Sequence, residues 1–166
     1  MRTALFAVLL SVVLTLGLAA QSSPNLSFRG PERPLHATVT AGPSELGVTP
    51  GVKAMLFIDV APKANIHVYA PGAKDFIAIA VKFEPQASLK LGKLTYPTSE
   101  VMTFADEKVP VFQKPFRLTQ EITLRGPVQP GTAVPVKATV DYQACDDRVC
   151  YAPESVPVVW TLKVAP

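Results

Sequence analysis

Cys145 and Cys150 are the only two cysteines in the 166-residue chain, and they lie close together in the segment YQACDDRVCYAPES. Two thiols at this spacing can form a structural disulfide, bind a metal ion, or exchange electrons as a redox pair. In the chain-entropy model, a disulfide that closes a ring of roughly six residues stabilises a protein by about 2 kcal/mol, which is low for a disulfide. The short ring leaves both a structural and a redox disulfide open.

The spacing of the cysteines restricts the backbone that can carry a disulfide. On an α-helix, residues i and i+5 lie about 7.5 Å apart along the axis and about 140° apart around it, whereas a disulfide needs Cα atoms within about 7 Å of each other. A regular helix is therefore excluded. A β-hairpin can carry the bridge across its mouth, with Asp146 to Val149 as the connection, and the cysteines would then lie at the end of a sheet, near solvent.

Composition and spacing argue against a metal site and a nucleic-acid site. Zinc needs four ligands, and the only histidines, His36 and His67, are distant in sequence from the cysteines and have no paired spacing. The formal net charge is +3, and the basic residues form no cluster that could follow a phosphate backbone. We therefore expect no metal and no nucleic-acid partner.

The N-terminus has the features of a secretory signal. Arg2 precedes the apolar run ALFAVLLSVVLTL, and small residues follow in GLAAQSS, so that cleavage after Ala19 or Ala20 is predicted. The alternative is a retained membrane anchor, for which the uncharged run has marginal length. We assign residues 1–20 to a signal peptide and residues 21–34 to a flexible lead-in. A periplasmic or otherwise exported location is expected, where a disulfide can persist.

Residues 35–166 are predicted to form one domain of short β-strands. The chain contains 17 prolines, about twice the usual share, and they leave few windows for a helix. Stretches rich in Val, Ile, Phe and Thr lie between them, at residues 36–41, 52–61, 76–84, 116–124, 134–144 and 155–164. Apolar and polar residues alternate from Val136 to Tyr142, as in a half-buried antiparallel strand. The pattern predicts an all-β, antiparallel β-sandwich, with a long surface loop that contains at most one short strand at residues 97–115.

The segment around the cysteines resembles the active-site segment of the N-terminal periplasmic domain of the DsbD thiol:disulfide interchange proteins. That family has Tyr-Gln-(Gly/Ala)-Cys, a short acidic spacer, and then Cys-(Tyr/Leu)-Pro-Pro-(Glu/Lys). The chain matches this pattern at residues 142–146, 150, 151, 153 and 154. The stretches NIHVYAPG and VMTFADEKVPVFQKPFRL resemble a strand and the cap-loop region of the same domain. The resemblance is patchy and spans roughly residues 50–164.

The resemblance implies an immunoglobulin-like sandwich with a redox disulfide, formed by Cys145 and Cys150, near one end. In the family, this domain receives electrons from a thioredoxin-like donor and passes them to oxidised exported proteins through mixed disulfides. We expect the same reductase-type relay here, with Cys150 as the cysteine that faces the partner. We expect no cofactor, because thiol:disulfide exchange itself needs none. Two alternatives stay open. One is a non-enzymatic binding or scaffold domain with a purely structural disulfide, and the other is a chaperone-like accessory that binds partners without electron transfer.

The resemblance also implies roles for residues around the cysteines. By motif position, Phe104 corresponds to the aromatic residue of a cap loop that shields the cysteines, and Tyr69 to a tyrosine packed near them. Tyr142, Asp146 and Tyr151 are further candidates for supporting the site. Tyr142 alternates with the core face and is expected to pack rather than react, and Asp146 is expected to be a loop residue rather than a proton carrier.

The chain departs from the family pattern in three ways. The spacer from Asp146 to Val149 is one residue shorter than in the best-known members. An acidic pair before the cap aromatic is replaced by residues 102–103, and Asp106 and Glu107 follow that aromatic instead, which leaves their role open. The 166-residue sequence contains no stretch that resembles the membrane or thioredoxin-like domains of the family. We therefore expect a monomeric, stand-alone domain with a separate electron donor, and a separate membrane electron transporter is a further candidate partner.

Overall fold

The computed structural model describes residues 35–104 and 106–166. The predicted signal peptide and lead-in, residues 1–34, lie outside the described residues. Within the described part of the chain, no helix is long and apolar enough to cross a membrane. The described strands are β1 (Ala37–Gly42), β2 (Glu45–Val48), β3 (Lys53–Pro62), β4 (His67–Tyr69), β5 (Ala80–Phe83), β6 (Leu89–Thr95), β7 (Glu100–Phe104), β8 (Glu107–Phe112), β9 (Phe116–Leu124), β10 (Ala133–Tyr142), β11 (Ala144–Cys145) and β12 (Glu154–Val164).

The strands form three four-stranded sheets, with the orders β1-β3-β9-β6, β2-β12-β10-β5 and β11-β4-β8-β7. All of the strand pairs are antiparallel except β2 with β12, which is parallel. Alternate residues of the first two sheets meet in one hydrophobic core. The predicted all-β sandwich is therefore confirmed, and Cys145 lies at the end of β11 in the third sheet.

The alternation of apolar and polar residues along β10 matches the burial of that strand, because its apolar residues face the core. Its apolar residues, Val136, Ala138, Val140 and Tyr142, are at most 4% exposed, and none of the residues between them is buried. Trp160 on the neighbouring β12 is fully buried, and its indole N–H donates to the carbonyl oxygen of Phe57 on the opposite sheet at 3.3 Å. Full burial of an aliphatic or Phe side chain contributes roughly 1.5–3 kcal/mol, and neither cysteine is among the buried residues of this core.

The prediction of a long surface loop with at most one short strand at residues 97–115 is wrong. The chain instead forms a hairpin of β7 and β8, in which Phe104 pairs with Glu107. Asp106 in the turn has a φ of 67°, a left-handed conformation that Asp tolerates better than most residues. The prediction failed because β7 is an edge strand of the sheet, and only Met102 on it is even partly buried, so it shows no clear alternation.

The strand predicted at residues 76–84 is also too long, because only Ala80–Phe83 is a strand. Residues 71–79 are irregular and fold over the end of β4. The backbone N–H of Ile79 donates to the carbonyl oxygen of Tyr69 at 2.8 Å, which holds this segment against β4. The apolar run in the sequence therefore belongs to two environments, the sheet and the region of the cysteines.

Candidate active site

Cys145 and Cys150 form a disulfide at the mouth of a hairpin, as the spacing predicts. They face each other as an isolated antiparallel pair, with Cα atoms 4.0 Å apart. Their neighbours on either side are hydrogen-bonded across the hairpin at 3.0 and 2.9 Å, and the cysteines are not. Side chains approach most closely in such a non-hydrogen-bonded pair, so the backbone itself brings the sulfur atoms together.

Asp146 holds the turn between the cysteines. Its Oδ1 accepts the backbone N–H groups of Arg148 at 2.7 Å and Val149 at 2.8 Å, and its Oδ2 accepts the hydroxyl of Tyr151 at 2.6 Å. The Tyr151 hydrogen bond, followed by the two backbone bonds, lowers the pKa of Asp146 to about 2. A carboxylate that stays ionised and accepts three hydrogen bonds is suited to ordering the loop, and not to carrying protons at neutral pH.

The two cysteine residues differ in their access to solvent. Cys145 is 1% exposed, whereas Cys150 is exposed. Cys145 pairs with His67 on β4 and packs into a small cluster, separate from the main core, together with Tyr69, Val109 and Val111. Strands β4 and β8 therefore cover one cysteine and leave the other at the surface.

Tyr69 lies next to the disulfide, where the motif position predicts it. Its hydroxyl oxygen is 3.4 Å from the Sγ of Cys150. The Tyr69 ring stacks on Phe76, with centroids 4.1 Å apart, and meets His67 edge to face at 5.4 Å. Burial raises the pKa of Tyr69 above its usual value, so its hydroxyl keeps its proton and can donate it to a sulfur atom.

Phe104 ends β7 at the tip of the hairpin and is 59% exposed. It lines a shallow apolar depression together with His67, Tyr69, Phe76, Met102, Val109 and Val111. The free volume of this depression is about 10 Å³, room for no more than one water molecule. Phe104 thus lies beside the rings of Tyr69 and Phe76, and Asp106 and Glu107 are exposed at the same tip.

Tyr142 packs in the core, as expected, and its hydroxyl is part of a hydrogen-bonded network. The hydroxyl donates to the carboxylate of Glu154, its cross-strand partner on β12, and accepts the backbone N–H of Ala37 at 3.2 Å. Burial, and then the bond to Glu154, raises the pKa of Tyr142. Burial alone would raise the pKa of Glu154, but the bonds from Tyr142 and His36 outweigh it and lower that pKa.

Three residues near the disulfide had no assigned role in the sequence interpretation. Phe76 stacks on Tyr69, as described above. Gln143 donates from Nε2 to the carbonyl oxygen of Tyr151 at 3.3 Å, and its place in the YQAC motif was the only signal for it. His36 stacks on the Tyr151 ring with centroids 3.7 Å apart, and nothing in the local sequence indicates this contact.

A metal site is not among the features of the described residues. No group of three or more His, Cys, Asp or Glu side chains within residues 35–104 and 106–166 could hold a metal ion. The chemistry that this arrangement can perform is that of the disulfide and its surrounding aromatic rings and hydroxyl groups.

Comparison with protein families gives a match over most of the chain. The family model described as "Thiol:disulfide interchange protein DsbD, N-terminal" matches residues 39–159. The search of curated proteins finds no significant match. The matched range includes both cysteines. It covers ten of the twelve described strands completely, and it covers β1 and β12 in part.

Solved structures share the fold at low sequence identity. The N-terminal periplasmic domain of ScsB from Proteus mirabilis has a TM-score of 0.52 and 15% identity, over 74% of this chain and 45% of that chain. The periplasmic chaperone SfaE has a TM-score of 0.43 and 10% identity, over 78% of this chain and 59% of that chain. BcpA, the major pilin subunit of Bacillus cereus, has a TM-score of 0.36 and 14% identity, over 76% of this chain and 40% of that chain. The likeness to the ScsB domain supports the predicted immunoglobulin-like sandwich, and the chain spans less than half the length of that ScsB chain.

Proposed function

The chain belongs to the family of DsbD N-terminal domains, and from this membership we propose that it performs thiol:disulfide exchange through Cys145 and Cys150. In the proposed reaction a thioredoxin-like donor reduces the pair, and the reduced pair then reduces oxidised exported proteins. The observation that carries the proposal is the unequal exposure of the cysteines, with Cys145 at 1% and Cys150 at the surface.

Reduction of the pair begins at Cys150. A donor thiolate attacks the Sγ of Cys150, the bond between the two sulfur atoms breaks, and Cys145 leaves as the thiolate. The donor and Cys150 are then joined in a mixed disulfide. The second thiol of the donor then attacks the donor sulfur of this mixed disulfide and releases Cys150. The donor leaves oxidised, and the Cys145–Cys150 pair has gained two electrons and two protons.

Transfer to a substrate follows the same path in reverse. The thiolate of Cys150 attacks a disulfide of the oxidised protein, and one substrate sulfur leaves with the electron pair. Cys145 then attacks Cys150 in the mixed disulfide, which releases the reduced substrate and restores the Cys145–Cys150 bond. Burial of Cys145 favours this order, because a buried thiol can reach its neighbour but not a second protein.

Tyr69 and Phe104 have supporting roles in the proposal. The Tyr69 hydroxyl, 3.4 Å from the Sγ of Cys150, can donate to the thiolate that forms there. Phe104 contributes a movable aromatic cover, since it is 59% exposed and lines the depression next to Tyr69. Small thiols would then reach the disulfide slowly, while a protein partner that displaces Phe104 would reach it quickly.

A trapping experiment tests the proposal. In Cys145→Ala, Cys150 is first converted to its mixed disulfide with thionitrobenzoate, and a thioredoxin-like protein that lacks its resolving cysteine is added. We expect release of thionitrobenzoate and a stable protein–protein adduct. Cys150→Ala is the matched control, and it should form little adduct because Cys145 is buried. Equal adduct from the two variants, or none from either, would contradict the proposal.

A structural disulfide in a binding or scaffold domain is the second candidate function. The hydrogen bonds that Asp146 accepts from the backbone N–H groups of Arg148 and Val149 order the loop in its closed form and favour this function. Structural disulfides of exported proteins have reduction potentials below about −300 mV. Titration in glutathione buffers separates the two functions, because an exchange protein should be reduced within the range that these buffers cover.

Export of the chain is part of the same proposal. The matched family and the ScsB domain relate the chain to periplasmic domains, and we assign residues 1–20 to the signal peptide. Mass spectrometry of the protein purified from the periplasm should find a mature N-terminus just after Ala19 or Ala20. An intact N-terminus in the membrane fraction would instead identify an anchor.

A further inference from the structure

Four side chains form a continuous connection from the disulfide loop to the sandwich, here called the Tyr151 clamp: Asp146, Tyr151, His36 and Glu154. The Tyr151 hydroxyl donates to Asp146 at 2.6 Å. The Tyr151 ring stacks on His36, with centroids 3.7 Å apart and planes 17° apart. The backbone N–H of His36 donates to Glu154 at 3.1 Å, and the His36 Nδ1 bonds the same carboxylate.

The clamp acts on the part of the chain that carries Cys150. Strand β11 ends at Cys145, β12 begins at Glu154, and between them only Cys150 takes part in a bridge. This segment is therefore held mainly by the disulfide, by the hydrogen bonds of the hairpin, by the hydrogen bond from Gln143 to the carbonyl oxygen of Tyr151 and by the clamp. When the disulfide is reduced, the covalent restraint is lost, and the clamp and the hairpin bonds remain.

We propose that His36 and Tyr151 are positioning residues that keep Cys150 beside Cys145 in the reduced protein. The inference rests on the proposed function, because it concerns the stability of the same redox pair. A segment that is already ordered loses less conformational entropy when the disulfide closes. The clamp therefore raises the effective concentration of one thiol at the other and shifts the equilibrium towards the disulfide.

His36 is the residue through which the clamp can be removed with least damage to the core. Glu154 also accepts the hydroxyl of buried Tyr142, so its loss would leave that hydroxyl without its acceptor. The His36 side chain is 23% exposed and precedes β1. Its substitution removes the stack on Tyr151 and leaves the Tyr142–Glu154 bond in place.

The experiment measures the equilibrium of the full-length mature protein with glutathione. One protein disulfide and two molecules of reduced glutathione give one protein dithiol and one molecule of oxidised glutathione. The oxidised fraction is read by mass spectrometry after the free thiols are alkylated. We expect His36→Ala to lower the equilibrium constant for disulfide formation by roughly twofold to tenfold, the factor that one aromatic stack can supply. A tenfold change corresponds to about 30 mV for this two-electron couple.

Further variants separate positioning from general stability. His36→Phe keeps a ring against Tyr151 and should recover most of the lost disulfide stability, whereas His36→Gln keeps a donor for Glu154 without the ring and should not. If His36→Ala does not fold, His36→Gln replaces it as the variant that lacks the ring. Arg117→Ala is the matched control, because it removes an exposed ion pair with Asp59 on another sheet and should leave the equilibrium unchanged.

Two results would contradict the proposed positioning role of the Tyr151 clamp. One is a wild-type glutathione equilibrium in both His36→Ala and His36→Gln, and the other is an equal shift in Arg117→Ala. Neither result depends on a protein partner, so failure of the clamp differs from failure of the proposed function. A shifted equilibrium in a protein that forms no adduct with thioredoxin-like proteins would support the clamp and reject the exchange function.

Discussion

Cys145 and Cys150 have the same side chain in different surroundings. Tyr69, Val109 and Val111 pack around Cys145 in a small cluster. Cys150 is exposed, and the hydroxyl oxygen of Tyr69 is 3.4 Å from its sulfur atom. A thiolate is the reactive species in exchange, and a hydrogen bond donated to it stabilises its charge. At the scale of residues, the reactivity of the pair therefore depends on neighbours that belong to other strands.

Tyr69→Phe should slow the chemistry of Cys150. In a Cys145→Ala background, loss of the hydroxyl removes a donor to the thiolate, and the rate of alkylation by iodoacetamide at neutral pH should fall roughly threefold to tenfold. Tyr96→Phe is the control, because the hydroxyl of Tyr96 donates to the backbone oxygen of Ile79 and has no contact with Cys150. An unchanged or faster rate in Tyr69→Phe would show that the hydroxyl does not stabilise the thiolate.

Asp146 should make the stability of the protein dependent on acid pH. Its pKa is lowered from 3.8 to about 2 by the Tyr151 hydroxyl and two backbone N–H groups. A carboxyl with a lowered pKa stabilises the folded state fully above its unfolded pKa, and this contribution is lost as the pH falls through the folded pKa. The contribution of Asp146 should therefore be complete above about pH 4 and disappear towards pH 2.

Urea unfolding of the wild type and Asp146→Asn between pH 2 and pH 6 checks this expectation. The difference in stability between the two proteins should shrink as the pH falls from about 4 to about 2. The lowered pKa of Glu154 acts in the same direction in both proteins and cancels in the difference. A difference that stays constant over this range would exclude an ionised Asp146 as the cause.

The β7–β8 hairpin forms one edge of the third sheet and contributes to the small cluster that contains Cys145. Val109 and Val111 on β8 are buried in that cluster, whereas β7 is an edge strand with mostly exposed residues. The sequence indicated the function of this segment by resemblance but not its structure, because an edge strand with one partly buried residue has no alternating pattern. Pairing with β8 forms the strand, and the pairing is visible only in three dimensions.

Phe104→Ala should change access to the disulfide more than it changes stability. Substitution of a side chain that is 59% exposed should cost less than about 1 kcal/mol, measured by thermal unfolding. Reduction by dithiothreitol should become faster, because the substitution opens the depression beside Tyr69. Val101→Ala on the same strand is the matched control, since Val101 is 63% exposed and does not line the depression. A similar rate in both variants would reject Phe104 as a cover.

At the scale of the whole molecule, the sandwich and the site share the third sheet. Val68, Phe112 and Ala144 of that sheet belong to the main core, whereas Cys145 belongs to a second, smaller cluster. Tyr142 ends β10 in the main core, and only Gln143 separates it from β11. The disulfide therefore lies at the edge of the main core and is not one of its members.

Replacement of both cysteines by serine should leave the fold intact. The chain-entropy model gives about 2 kcal/mol for a ring of this size, a moderate loss for a domain with its own core. The circular dichroism spectrum should match that of the wild type, and the midpoint of urea unfolding should be lower. Loss of the β-sheet spectrum would instead mean that the disulfide is required for folding.

The sequence by itself determined the features that depend on near neighbours along the chain. Prolines and short alternating stretches predicted an all-β sandwich, and the spacing of Cys145 and Cys150 predicted a hairpin disulfide. The residues that flank the cysteines indicated the family. The first two follow from local geometry, since the period of a strand and the reach of a disulfide are fixed over a few residues, and the third rests on the resemblance of the motif.

Only the tertiary structure decided how the cysteines differ and what holds them. Cys145 is buried because β4 and β8, far from it in sequence, pack over it. His36 contacts the disulfide loop by stacking on Tyr151, and its backbone N–H donates to Glu154, which is 118 residues away along the chain. Contacts at such a separation leave no periodicity or motif in a single sequence, because they are set by which strands pair in the folded molecule. The sequence located the disulfide, and the pairing of distant strands decided which of its cysteines is exposed.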